Sequence, residues 1–101
     1  MLEPDNLIRL NVMGWGNRGW VEIIETILEV CQNGALKTHV MYRCNLNSKQ
    51  MVQYVGFLEN HRLIKRVPNL SCPSRDLFMT TELGKRYMAS YKELENIFSG
   101  T

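Results

Sequence analysis

With 101 residues, 45% apolar side chains and a formal charge of +2, the chain is long enough for one domain with a modest core and too apolar to be disordered. Its three cysteines (Cys31, Cys44, Cys72) form an odd set without a C-x-x-C pair, and neither His39 nor His61 stands at finger-like spacing from them, which argues against a disulfide framework and against a structural metal. The charge is unevenly spread, with −3 over residues 1–34, +6 over residues 35–75 and −1 over residues 76–101, the distribution expected when one part of a surface meets a polyanion.

No apolar run is long enough to span a membrane. The N-terminal MLEPDNLIRL carries acids where a signal peptide would carry basic residues, which predicts an intracellular, cytoplasmic protein. The following LIRLNVM alternates, with Ile8, Leu10 and Val12 on one side, and reads as a short strand or an arm. Gly14, Gly16 and Gly19 fit G-x-G-x-x-G. A dinucleotide-binding turn would need a second parallel strand about 20 residues on, ending in an acid for the ribose. A helix, an Asn-Gly turn and a basic segment follow instead, so these glycines read as a hinge before the first helix.

The first helix is predicted over residues 19–32. Trp20, Ile23, Ile24, Ile27, Leu28 and Cys31 repeat with helical period, and Glu22, Glu25 and Glu29 lie opposite. Asn33-Gly34 stops it. A short second helix spans residues 38–44, with Val40, Met41 and Cys44 toward the core and His39 and Arg43 outward. Residues 45–47 form a turn in which Leu46 plugs the space between two helices. The third helix opens on Asn47 and Gln50, a capping-box pair. Met51, Tyr54, Val55 and Leu58 form its buried stripe, whereas Ser48, Lys49, Gln50, Gln53 and Asn60 present a polar face. Helix, three-residue turn, helix is the spacing of a helix-turn-helix.

Two strands follow, over residues 63–67 and 76–80, separated by PNLSCPSR with its prolines and turn formers. This is a hairpin with a long tip, flanked by Lys65, Arg66 and Arg75. Thr80 or Thr81 caps a last helix that runs to about residue 98. Its apolar positions, Leu83, Tyr87, Tyr91, Leu94 and Phe98, suit either core packing or a helix–helix seam. The fold class is thus α+β, mostly α: a winged helix-turn-helix of three helices, a two-stranded wing and a C-terminal helix. Residues 1–18 form the arm or short strand, residues 19–80 the winged helix-turn-helix and residues 81–101 the C-terminal helix.

Three segments carry a resemblance: RGWVEIIETILEVCQNGALKTHVMYRCNLN, QYVGFLENHRLIKR, and the Thr-Thr-x-Leu-Gly-Lys start of the last helix. From residue 19 to about residue 98 the chain resembles the archaeal winged-helix family of small DNA-binding proteins and predicted transcriptional regulators. The resemblance implies binding to double-stranded DNA and a homodimer joined through the last helix, by Tyr87, Tyr91, Leu94 and Phe98. One departure stands out: where that family often has a glycine before its Leu-Ile strand, this chain has Arg62.

These features point to a nucleoid-associated, duplex-DNA-binding regulator or chromatin protein that needs no cofactor. Ser48, Lys49, Gln50 and Gln53 are the candidates for reading base edges in the major groove. Lys37, Thr38, Tyr42 and Arg43 would meet the DNA backbone near the second helix, and Lys65, Arg66 and Arg75 would neutralise phosphates from the wing. The alternative is a winged-helix protein-interaction module, with Phe57 and Tyr87 as exposed aromatics. An enzyme is disfavoured, because His39, His61 and Cys44 are scattered over different elements and no carboxylates pair in an apolar setting.

Overall fold

The computed structural model describes residues 19–99. The arm or strand expected over residues 1–18, including Gly14 and Gly16 of the glycine pattern, lies outside the described residues.

The first helix, α1 (Trp20–Val30), buries Ile23, Ile24, Ile27 and Leu28 along the face its periodicity marks out. The Glu22 carboxylate accepts from the Gly19 backbone N–H, tying down its start. It ends earlier than the pattern suggests. Cys31 has left helical geometry, its carbonyl accepts from the Gly34 N–H at 3.1 Å, and Gly34 takes a positive φ of 92°. Cys31 is still fully buried. Burial, with the nearby Cys44 adding to it, pushes its thiol pKa up to about 12. The thiol stays protonated at neutral pH and packs as a small apolar group.

Helix α2 (Lys37–Cys44) buries Val40 and Cys44 and closes on Asn45 in the left-handed region, φ 56° and ψ 53°, a conformation asparagine tolerates better than most residues. Leu46 is 7% exposed, as its role as a plug requires. Helix α3 (Ser48–Asn60) starts with the expected reciprocal cap. Asn47 Oδ1 accepts from the Gln50 N–H at 2.8 Å, and Gln50 Oε1 accepts from the Asn47 N–H at 3.0 Å. Met51, Tyr54, Val55 and Leu58 are all buried beneath it.

Strands β1 (Ile64–Val67) and β2 (Leu77–Thr80) pair antiparallel, Ile64 opposite Thr80 and Val67 opposite Leu77. A single residue of the α1–α2 connection, Ala35, adds a further rung by exchanging both backbone hydrogen bonds with Phe78. Thr80 fastens the wing to α1: its hydroxyl donates to the Leu28 carbonyl at 2.7 Å and its N–H to the Cys31 carbonyl at 2.9 Å.

Helix α4 (Glu82–Ser99) is capped by Thr81. The Thr81 hydroxyl accepts from the Gly84 N–H at 3.0 Å and donates to the Arg62 carbonyl at 2.6 Å. The first half of α4 packs on the core through Tyr87 and Met88. Further along, Leu94 and Ile97 are more than half exposed and Phe98 is 76% exposed. The apolar stripe read from the sequence is thus divided between core packing and open surface. Arg62 adopts a positive φ of 61°, so the exit from α3 has the geometry a glycine would take most easily.

Candidate nucleic-acid interface

The helix-turn-helix and the wing meet along a pair of adjoining clefts. One, of about 390 Å³, is lined by Lys37, Thr38, Arg66, Ser74, Arg75, Asp76 and Phe78. The other, of about 270 Å³, lies between α3 and the wing and also reaches Lys37 and Arg66. Four of the basic-region residues singled out in the sequence, Lys37, Thr38, Arg66 and Arg75, are thereby brought together from α2, β1 and the approach to β2.

The start of α2 adds to this. Leu36, its N-cap, provides no side-chain acceptor, so the first N–H groups of α2 lack a side-chain cap where the cleft is lined by Lys37 and Thr38. An uncapped helix start with cations beside it favours an anion such as a phosphate. Asp76, in the same lining, opposes it.

Arg66 is held rather than loose. Its Nε donates to Glu59 at 2.8 Å and its guanidinium lies 5.1 Å from the centre of the Phe78 ring. The hydrogen bond to Glu59, with the charges of Glu59 and Asp76, raises its pKa further. The group is thus aimed by α3 and by the wing, and part of its charge is already answered by Glu59. Lys65 behaves differently. Strand side chains alternate, so Lys65 points to the opposite face of the wing from Arg66, and it lines neither cleft. Arg43 is exposed near the end of α2 and is also outside both. Tyr42 is 83% exposed on the outer side of α2.

On α3, Ser48 and Lys49 are exposed and Gln53 half-buried. Gln50 is half-buried, and its carbonyl is engaged with the Asn47 backbone. That leaves its amide NH2 for outside contact, so its reach toward a base is narrower than its type suggests. Tyr54 is fully buried, in agreement with its place on the core stripe. Val52 was not singled out by the sequence pattern, yet it is 64% exposed and lies among the polar residues of this face. A signal was available: Val52 is off the Met51–Tyr54–Val55–Leu58 stripe, and an apolar side chain there has no helical partner. Among the described residues, no three His, Cys, Asp or Glu side chains gather as a metal site would require.

The opposite flank of α3 has another character. Phe57 meets Trp20 edge-on with ring centres 6.2 Å apart and stacks obliquely on His61 at 4.5 Å. With Leu63, Leu83 and Tyr87 these rings line a groove of about 480 Å³ between α1, α3 and α4. Phe57 and Tyr87, expected as exposed aromatics, are both half-buried.

The model of a family described as winged helix-turn-helix matches residues 17–99. An uncharacterised protein of Methanocaldococcus jannaschii is 32% identical over 83 residues, 81% of this chain and 78% of its own length. Among solved structures, Sso10a-2, a DNA-binding protein from Sulfolobus solfataricus, is similar at 25% identity and a TM-score of 0.67, over 82% of this chain and 88% of its own. The transcriptional regulator BldR from Sulfolobus solfataricus shares the fold at 14% identity and a TM-score of 0.70, over 95% of this chain and 68% of its own. The chain belongs to the winged helix-turn-helix family.

Proposed function

We propose that this protein binds double-stranded DNA as a transcriptional regulator or chromatin-associated protein. In this reading α3 lies in the major groove and the α2–wing cleft grips the adjoining backbone. The observation that carries it is the convergence of Lys37, Arg66 and Arg75 on the uncapped start of α2, beside the exposed polar face of α3. A DNA strand supplies phosphates at the cleft while its base edges face Ser48, Lys49 and Gln53. The likeness to Sso10a-2, a DNA-binding protein, supports the same reading. Lys65 and Arg43 would serve as peripheral cations that follow the backbone at longer range.

Titration of mixed-sequence duplex DNA by fluorescence anisotropy tests this. Four to six phosphate contacts give log K against log salt a slope of about −4 to −5. Reversing charge at Lys37→Glu and Arg75→Glu together weakens binding and flattens that slope by about 2. Absence of binding at micromolar protein and low salt overturns the reading.

We also propose a homodimer joined through α4, supported by the exposure of Leu94 and Ile97 on its outer half. A symmetric dimer would present two recognition helices to two half-sites. Light scattering should give twice the 11.8 kDa of one chain. The single-chain mass at tens of micromolar protein counts against the dimer.

The apolar groove of Trp20, Phe57, Leu63, Leu83 and Tyr87 favours a second reading, a winged helix that docks a protein segment. It uses the other flank of α3, so the Lys37→Glu, Arg75→Glu variant separates the two. Docking at the groove survives this change, and DNA binding does not.

A further inference from the structure

The outer face of α3 holds two residues that the fold does not ask for, one helical turn apart. Gly56 stands in the middle of the helix. A Cβ built there meets nothing within 4 Å among the described residues, so neither packing nor a positive φ calls for glycine. Glycine at such a position weakens a helix relative to alanine. Val52 lies on the same side at i−4. It is 64% exposed, apolar among Ser48, Lys49 and Gln53, and β-branched, which makes it a poorer helix former than the alternatives. Both line the cleft of about 270 Å³ between α3 and the wing, with Lys37 and Arg66 at its rim. Two locally unfavourable choices at one spot, on the face directed at the proposed ligand, indicate a requirement imposed from outside the fold.

The chemistry of that requirement follows from what a major groove displays. Its apolar feature is the C5-methyl group of thymine, and its other base-edge groups are hydrogen-bond donors and acceptors. We propose that Val52 packs on a thymine methyl and that Gly56, lacking a Cβ, lets the same strand approach the α3 backbone closely. Lys49 and Gln53, which share the adjoining side of the helix one turn apart, supply hydrogen bonds to neighbouring base pairs. Val52 and Gly56 are thus determinants of sequence preference, and a thymine is part of the bound site. This rests on the DNA-binding reading above and adds a base identity to it.

The test begins with duplexes selected from a random pool by the full chain. Each thymine in the selected site is then replaced by deoxyuridine, which removes the methyl group alone. For the unmodified protein, one replacement per half-site should weaken binding about three- to tenfold, the worth of a buried methyl contact. Val52→Ala should bind the thymine and uracil duplexes equally. Gly56→Ala should melt at the same or a higher temperature while losing about tenfold or more in affinity for the selected duplex. Selected duplexes without a preferred thymine, equal binding of thymine and uracil duplexes by the unmodified protein, or retained discrimination in Val52→Ala overturn the thymine contact and leave DNA binding standing. Unchanged affinity in Gly56→Ala overturns the close approach. Failure to retain any duplex overturns the DNA-binding reading and this inference together.

Discussion

Gly84 and Gly56 both lie in helices, and they are constrained in opposite ways. At Gly84, in the first turn of α4, an added Cβ would run into the carbonyl of Leu63 and the methyl of Thr80. The helix can sit against the wing only because that side chain is missing. At Gly56 the same atom would meet open space. The junction of α4, Thr81 and the α3–β1 exit is therefore dictated by the packing of this chain on itself. On the cleft-facing side of α3 only Val52 and Gly56 are free of that demand among the residues named, and the proposed base contact rests on those two positions. The contrast extends to charge. α1 carries acids toward α4, where Glu25 leaves one buried carboxylate oxygen without a partner among the described residues, whereas the wing and α2 gather cations.

The contrast can be broken by substitution, starting with the junction. Gly84→Ala should destabilise the fold by about 2–4 kcal/mol, the scale of overpacking a close backbone contact. In a domain of this size that lowers the melting temperature by about 10 °C or more, which thermal unfolding followed by circular dichroism would show. Next comes Arg62, whose φ of 61° puts a side chain in the left-handed region. Arg62→Gly should relieve about 1 kcal/mol and raise the midpoint of urea unfolding. A fall in that midpoint would mean that the Arg62 side chain contributes more than its backbone strain costs. Gly56→Ala should add about 0.5–1 kcal/mol of stability, opposite in sign to the same change at position 84.

The smallest effect is the pH response of Glu25. Burial, followed by the charge of Glu29, raises its pKa above the ordinary carboxylate value, with Glu95 adding to this and Lys92 opposing it. The folded state thus holds the proton more tightly than the unfolded chain does. Stability from this group is complete below the unfolded carboxylate pKa and is lost as the pH rises through the folded value. Glu25→Gln should therefore unfold later than the parent in urea at pH 7 and together with it near pH 4. An equal gain at both pH values would place the cause in packing instead of ionisation.

Much of the fold was legible in the residues, and the reason is local. The Asn47–Gln50 cap, the Leu46 plug, the buried stripe of α3 and a threonine cap at residue 80 or 81 rest on interactions only a few residues apart in the chain, or on a periodicity that one helix enforces by itself. The parts that were not legible depend on distant segments. Ala35 has no strand pattern around it, and its pairing with Phe78 exists only because the α1–α2 connection lies along β2. Arg66 and Lys65 are neighbours with the same charge. β1 turns one toward Glu59 and Phe78 and the other to the far face of the wing.

By itself, the sequence determined the order of the described helices and strands, the capped start of α3 and the basic middle segment. These follow from short-range hydrogen bonding, helical period and charge counting, none of which needs a third dimension. Only the tertiary structure decided which cations share a cleft, that α4 is half core and half surface, and that Gly56 is unoccupied space while Gly84 is a contact. Those outcomes depend on which surfaces lie within a few ångströms of each other, and that is set by the packing of α1, α3 and the wing around one core.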